Sequence, residues 1–195
     1  MKRMLAGQGT GLHPGFTLLE LLLVLAVLSI SLQLTTAAFA PQLREMRSAS
    51  AMNHVAGLMA YARHEALLRR RPVTVCVLDA DNRCTRTWLP GFRLIAFVDT
   101  NANRRLEASD ELLRDTDWPM TGAELSWRAS LARPYIAFTE TGGTWQNGTL
   151  YYCPETRDAR QARALVVSHS GRAYATVDSN GDGIREDRTG KNLKC

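Results

Sequence analysis

Gly15-Phe16-Thr17-Leu18-Leu19-Glu20, running straight on into Leu21-Leu22-Leu23-Val24-Leu25-Ala26-Val27-Leu28-Ser29-Ile30, sets the reading of everything after it. Nine of the ten residues from 21 to 30 are apolar or small, and the apolar character persists to Ala40, diluted by Gln33, Thr35 and Thr36. As a helix, residues 16–40 would rise about 37 Å at 1.5 Å per residue, enough to cross a bilayer. Glu20 is the anomaly, because a carboxylate inside an apolar span costs about 2.5–3.5 kcal/mol and marks function. Upstream, residues 1–15 read MKRMLAGQGTGLHPG: two early charges, four glycines, one proline and no core-forming pattern.

Three readings of this head compete. Ala38-Phe39-Ala40 resembles the small-residue cleavage site of a secretory signal peptide. Against it, Pro41 follows at once, the basic residues lie far from the apolar run, and Glu20 lies within it. A plain transmembrane helix accounts for the length but not for Glu20. A prepilin leader accounts for both. The junction Gly15/Phe16-Thr17-Leu18-Leu19-Glu20 resembles the processing site of type IV pilins and pseudopilins. That resemblance implies cleavage after Gly15 by a prepilin peptidase and N-methylation of Phe16. It makes Glu20 the fifth mature residue, the assembly position of the family. The chemistry is coherent: the new α-amine at Phe16 enters an apolar filament core, where a neighbour's Glu20 can neutralise it, and an unpaired buried charge is strongly unfavourable. The first proline after the cut is Pro41, the twenty-sixth mature residue, which places the family's helix kink about one turn late.

Downstream, residues 41–71 continue a helical pattern. Met52, Val55, Met59, Ala62 and Ala66 recur at 3-4-3-4 spacing as an apolar stripe, with Arg44, Arg47, Arg63 and Arg69 off it. Pro72 predicts a helix end near Arg70-Arg71. From residue 72 to 195 the pattern changes to short β-rich runs between turns. The expected strands are Val73–Leu78, Phe92–Val98, Glu111–Arg114, Glu124–Arg128, Tyr135–Phe138, Thr149–Cys153, Ala164–Ser168 and Ala173–Val177. Turns are expected at Asp81-Asn82, Pro90-Gly91, Gly142-Gly143, Asn147-Gly148 and Ser170-Gly171. The expected class is α+β: a leader (1–15), a transmembrane and assembly helix (16–40), its amphipathic continuation (41–71) packed on the sheet, and an antiparallel β domain (72–195).

The β region sharpens the likeness. Residues 91–101, then Asp110-Glu111-Leu112-Leu113-Arg114, Gly148-Thr149-Leu150-Tyr151-Tyr152-Cys153, Ala164-Leu165-Val166-Val167-Ser168 and Gly171-Arg172, resemble the FimT/FimU/GspH group. This implies a minor subunit of a type IV pilus tip or of a type II secretion pseudopilus, held in the inner membrane with its globular part in the periplasm. Its partners would be other pilins or pseudopilins, the assembly platform and the prepilin peptidase.

Composition fits a globular exported chain, with 45% hydrophobic and 22% charged residues. Net charge is +5, or 22 basic against 19 acidic residues once Lys2 and Arg3 are removed, too mild to demand nucleic acid. Cys76, Cys84, Cys153 and Cys195 form no C-x-x-C pair and no zinc-ligand spacing. An even count in an exported chain favours disulfides; of three pairings, a short turn at Asp81-Asn82 favours Cys76–Cys84, leaving Cys153–Cys195.

No catalytic constellation is expected. His13 is in the leader, His54 and His64 are ten apart on the helix, and Ser168-His169-Ser170 is mere adjacency. No cofactor is required, and calcium is the one candidate. Asp178, Asn180, Asp182, Gly183 and Glu186 follow D-x-N-x-D-G with an acid at the ninth place, while Thr189 replaces the bidentate glutamate of the twelfth. Asp99-Thr100-Asn101-Ala102-Asn103, with Glu107 and Asp110, is a weaker case without the turn glycine. The alternative for both is a tight Asn/Asp turn. Some relatives carry Gly-Arg-x-Arg near the C-terminus, linked to DNA capture. Here the match is Gly171-Arg172-Ala173-Tyr174, with Lys191 further on, and residues 171–195 hold five basic against four acidic groups. Any DNA contact through Arg172, Tyr174 and Lys191 is therefore expected to be weak.

Overall fold

The computed structural model describes residues 15–85, 88, 93–117 and 122–195, with the side chains of 33–38 and 40 left aside. Residues 1–14 with His13, the Pro90-Gly91 turn and Phe92 lie outside the described residues. The chain divides into two units, Met1–Gln42 and Leu43–Cys195.

A single helix assignment, α1, covers Leu18–Arg69 and contains Pro41. In the first unit its start follows from local chemistry. The Thr17 hydroxyl accepts from the Glu20 amide at 3.2 Å, and Leu21 N–H donates to the Thr17 carbonyl at 3.2 Å. Thr17-x-x-Glu20 is thus a capping sequence that answers one of the orphan amides of the first turn. Ser29 and Ser31 turn their hydroxyls back onto the carbonyls of Ala26 and Val27, both at 2.8 Å, which hides polarity within an apolar run. Among the described residues, no helix is long and apolar enough to cross a membrane. The fully described apolar stretch, residues 18–32, rises only about 22 Å against a hydrocarbon core of about 30 Å.

In the second unit the helical stripe is the core. Met52, Val55, Met59, Ala62 and Ala66 are all buried. The helix stops at Arg69 because Arg70 turns left-handed (φ 52°) and Arg71 N–H returns to the Ala66 carbonyl at 3.3 Å, a Schellman closure just ahead of Pro72.

The β region forms two antiparallel sheets. The first contains β1 (Val73–Leu78), β2 (Cys84–Thr85), β3 (Arg93–Val98), β4 (Glu111–Asp117) and, beyond the neighbouring strand β5 (Glu124–Ala129) of the other sheet, β6 (Tyr135–Phe138). β1 is central: β3 pairs along one edge, while β6 at Val73–Cys76 and β2 at Val77–Leu78 share the rest. The second sheet runs β5, β7 (Gly148–Cys153), β8 (Arg163–Val167), β9 (Ala173–Ala175). Period-two alternation splits the first sheet's side chains between two clusters. Val73, Val75, Val77, Leu94, Ala96, Val98, Ile136 and Phe138 join the helical stripe and Leu150, Tyr152, Leu165 and Val167 of the second sheet in the main core. Cys76, Leu78, Ile95, Phe97 and Tyr135 form a smaller cluster, covered by Cys84 and Leu106.

Candidate functional site

The Gly15-Phe16 segment lies ahead of the helix and open to solvent. Residues 15–17 are exposed and outside the helix, which begins at Leu18. Phe16 is 81% exposed, Glu20 is exposed, and so are Leu18, Leu19, Leu21, Leu22, Leu23, Leu25 and Leu28. A run of exposed apolar side chains of this length marks contact with lipid or with other chains. The capping role of Thr17 is an addition to the sequence reading. Its signal, a Thr three residues before a Glu ahead of an apolar run, is present in the same six residues that carry the processing motif.

Two disulfides close the β region: Cys76–Cys84 with Cα atoms 5.5 Å apart, and Cys153–Cys195 at 5.4 Å. Each lies beside one of the two Asp/Asn-rich loops. The loop from Asp99 to Asp110 is hydrogen-bonded to the turn that carries the first disulfide, through Cys84 N–H to the Arg104 carbonyl (3.0 Å) and Leu106 N–H to the Asn82 carbonyl (2.8 Å). The loop from Asp178 to Glu186 leads into the tail that ends at Cys195.

The first loop contains its own cation. Asp99 is fully buried, and its carboxylate accepts from Thr74 Oγ1 (3.1 Å), Asn103 N–H (3.0 Å) and Arg104 Nη1 (2.6 Å). Burial alone would lower the Arg104 pKa; hydrogen bonds to Tyr135 and Asp99 outweigh it, so the net direction is upward. The guanidinium lies 4.4 Å from the Tyr135 ring centroid. Asn101 Nδ2 donates to Glu107 at 3.1 Å, and Asp110 accepts from Glu107 N–H at 3.0 Å. A guanidinium thus neutralises Asp99, the buried acid of this loop.

The second loop is wound around its acids. Asp178 accepts from Gly181 N–H (2.7 Å) and Gly183 N–H (2.8 Å), Asn180 Oδ1 from Asp182 N–H (2.8 Å), and Asp182 from Ile184 N–H (2.8 Å) and Asn192 Nδ2 (2.6 Å). The Asn192 and Ile184 donors hold the Asp182 carboxyl below its ordinary range. Glu186 is buried; Oε2 accepts from Ser179 N–H at 2.8 Å, and Oε1 has no hydrogen-bond partner. Arg185 turns away to Glu45 on α1 (3.3 Å), which also pairs with Arg163. Burial, and then the like charge of Arg185, lower the Arg163 pKa. As they stand, no three His, Cys, Asp or Glu side chains among the described residues are gathered to hold a metal ion.

Tyr174 is exposed on β9, the edge of the second sheet, Arg172 is exposed just before that strand, and Lys191 is exposed on the tail. The glycine before them has a structural cause. Gly171 has φ 74°, and a Cβ there would stand 1.9 Å from the Gly142 carbonyl oxygen. Ser168, His169 and Ser170 make no relay: the His169 ring bonds the Thr144 carbonyl at 3.2 Å, and the two serine hydroxyls pair with each other at 2.9 Å.

Comparison with known proteins agrees with this anatomy. The family described as Type II transport protein GspH matches residues 51–171, and the prokaryotic N-terminal methylation motif matches residues 13–32. Among solved structures, the type IV minor pilin FimU of Pseudomonas aeruginosa is 22% identical, with TM-score 0.48 over 66% of this chain and 87% of that one. The minor pseudopilin EpsH from the type 2 secretion system of Vibrio cholerae is 17% identical, with TM-score 0.42 over 67% and 96%. No curated protein matches the chain at the sequence level. The family match spans most of the β region and the buried part of the helix, and the methylation motif covers Gly15 and Phe16: the chain belongs to the family described as Type II transport protein GspH.

Proposed function

We propose that the chain is a membrane-anchored minor subunit that starts or caps a pilus-like filament at the inner membrane, with its β domain in the periplasm. A prepilin peptidase cuts between Gly15 and Phe16, the new Phe16 amine is methylated, and Glu20 neutralises that amine on a neighbouring subunit. The supporting observation is the junction itself: an exposed, non-helical Gly15-Phe16-Thr17 ahead of a Thr17-capped, apolar, exposed helix. Residues 16–40 form the anchor before assembly and the filament contact after it. Other pilins or pseudopilins and the assembly platform are the partners. Intact-mass analysis of membrane-extracted protein should show loss of residues 1–15 and gain of one methyl group. A mature start at Pro41 would refute the reading. Glu20→Ala should leave the subunit in the membrane and reduce its recovery in sheared filaments.

DNA capture is a second reading, favoured by the exposed Tyr174 on an edge strand and the exposed Arg172 just before it. With five basic against four acidic groups from 171 to 195, binding would be weak and steeply salt-dependent. Deleting the gene and scoring surface pili, protein secretion and DNA uptake together separates the roles.

A further inference from the structure

We propose that the loop Asp178–Glu186 is a calcium site of low affinity, with the Asp178 and Asp182 carboxylates, the Asn180 amide oxygen, the Ile184 carbonyl and Glu186 Oε1 as its protein ligands. Two observations meet here. The first is the donor pattern: oxygen-bearing residues at first, third, fifth and ninth places around a Gly183 turn at φ 85° suit a hard cation that takes six to eight oxygens. The second is independent of that pattern. Glu186 is only 6% exposed, its Oε2 reaches Ser179 within the loop, and Oε1 is left with no donor. A buried carboxylate oxygen without a donor is costly, and a cation is the partner that would relieve it.

Among the described residues, no donor reaches Glu186 Oε1. Arg185, the basic residue next to Glu186, is committed to Glu45. The present hydrogen bonds do not use up the ligands, because an ionised carboxylate has about four lone-pair sites and the amides occupy part of them. The loop is also closed at its base, where Glu186 N–H donates to the Val177 carbonyl at 3.2 Å. Its acids are not yet gathered at one point, and the twelfth-place glutamate is replaced by Thr189. Calcium therefore has to draw Asp178, Asp182 and Glu186 together, and the affinity falls in the weak range of extracellular modules, Kd about 0.1–1 mM.

The test is isothermal titration of calcium chloride into chelator-stripped, detergent-solubilised full-length chain. One saturable site is expected, not reproduced by equal magnesium. Glu186→Gln should weaken it by about tenfold or more, since charge count tunes such loops. Asp182→Asn, at an exposed position, should do the same, while Glu107→Gln in the other loop should leave calcium binding intact. Absence of saturable heat up to about 10 mM calcium, an equal response to magnesium, unchanged binding in both Glu186→Gln and Asp182→Asn, or loss in Glu107→Gln would each overturn the assignment.

Discussion

The loops 99–110 and 178–186 are written in the same alphabet, yet the fold treats them differently. Both are rich in Asp and Asn, both bend their acids onto their own amides, and both sit beside a disulfide. In the first, Arg104 brings its guanidinium onto the buried Asp99 at 2.6 Å and over Tyr135, and Leu106 covers the minor core cluster. In the second, the neighbouring Arg185 faces Glu45 and leaves Glu186 Oε1 without a donor. An oxygen-rich pattern therefore specifies a need for positive charge. Whether a side chain or an external ion meets that need depends on where one arginine points.

The largest expected effect separates the loops by their staples. Replacing Cys153 and Cys195 together by Ser should cost about 4 kcal/mol of stability, against about 2.5 kcal/mol for Cys76 and Cys84, because the longer closed loop restricts the unfolded chain more. Urea denaturation of the detergent-solubilised chain, followed by circular dichroism, measures both. Equal losses would show that the tail is held by other contacts.

Next comes the internal cation. Arg104→Met leaves Asp99 buried without its partner and should cost about 3 kcal/mol, the low end for breaking a buried pair, since the arginine is a quarter exposed. Adding Asp99→Asn to the same chain should recover more than half of that loss. Glu186→Gln without calcium should cost under about 1 kcal/mol, because no buried ion pair is broken there. A comparable loss in Glu186→Gln would mean that the second loop also contains a compensating charge.

The smallest effect concerns backbone strain. The first loop places Ala102 (φ 57°) and Arg104 (φ 63°) in the left-handed region, where the second uses Gly181 and Gly183. Ala102→Gly should raise stability by about 0.5 kcal/mol, and Gly183→Ala should lower it by about 1 kcal/mol, with no clash because open space surrounds the added Cβ. Thermal melts of the two variants check the opposite signs.

Much of the architecture was legible beforehand. The 3-4-3-4 stripe is the buried helical face, and Val73–Leu78 and Tyr135–Phe138 are strands with the expected limits, because short β-rich runs bounded by turn residues are local signals. Other features were not. β2 is two residues long, pairing Cys84 with Leu78 and Thr85 with Val77 beside the Cys76–Cys84 disulfide, so no alternation announces it. β4 runs on to Asp117 through Asp115 and Thr116, polar residues that only the edge pairing with β3 makes a strand. The division of the β region into two sheets depends on which edges meet, and strand-length patterns do not carry that.

By itself the sequence determined how the helix at the head of the molecule begins. Thr17 capping and apolar continuity are short-range properties of adjacent residues, so a few letters and the run behind them suffice. The tertiary structure alone decided the fate of the charges. Arg104 finds Asp99, Arg185 and Arg163 find Glu45, and Glu186 is buried with one oxygen unanswered. Those outcomes depend on burial and on contacts across more than a hundred residues in the case of Glu45, and electrostatic energy is set by distance and solvent exclusion in space, neither of which is written in the order of the residues.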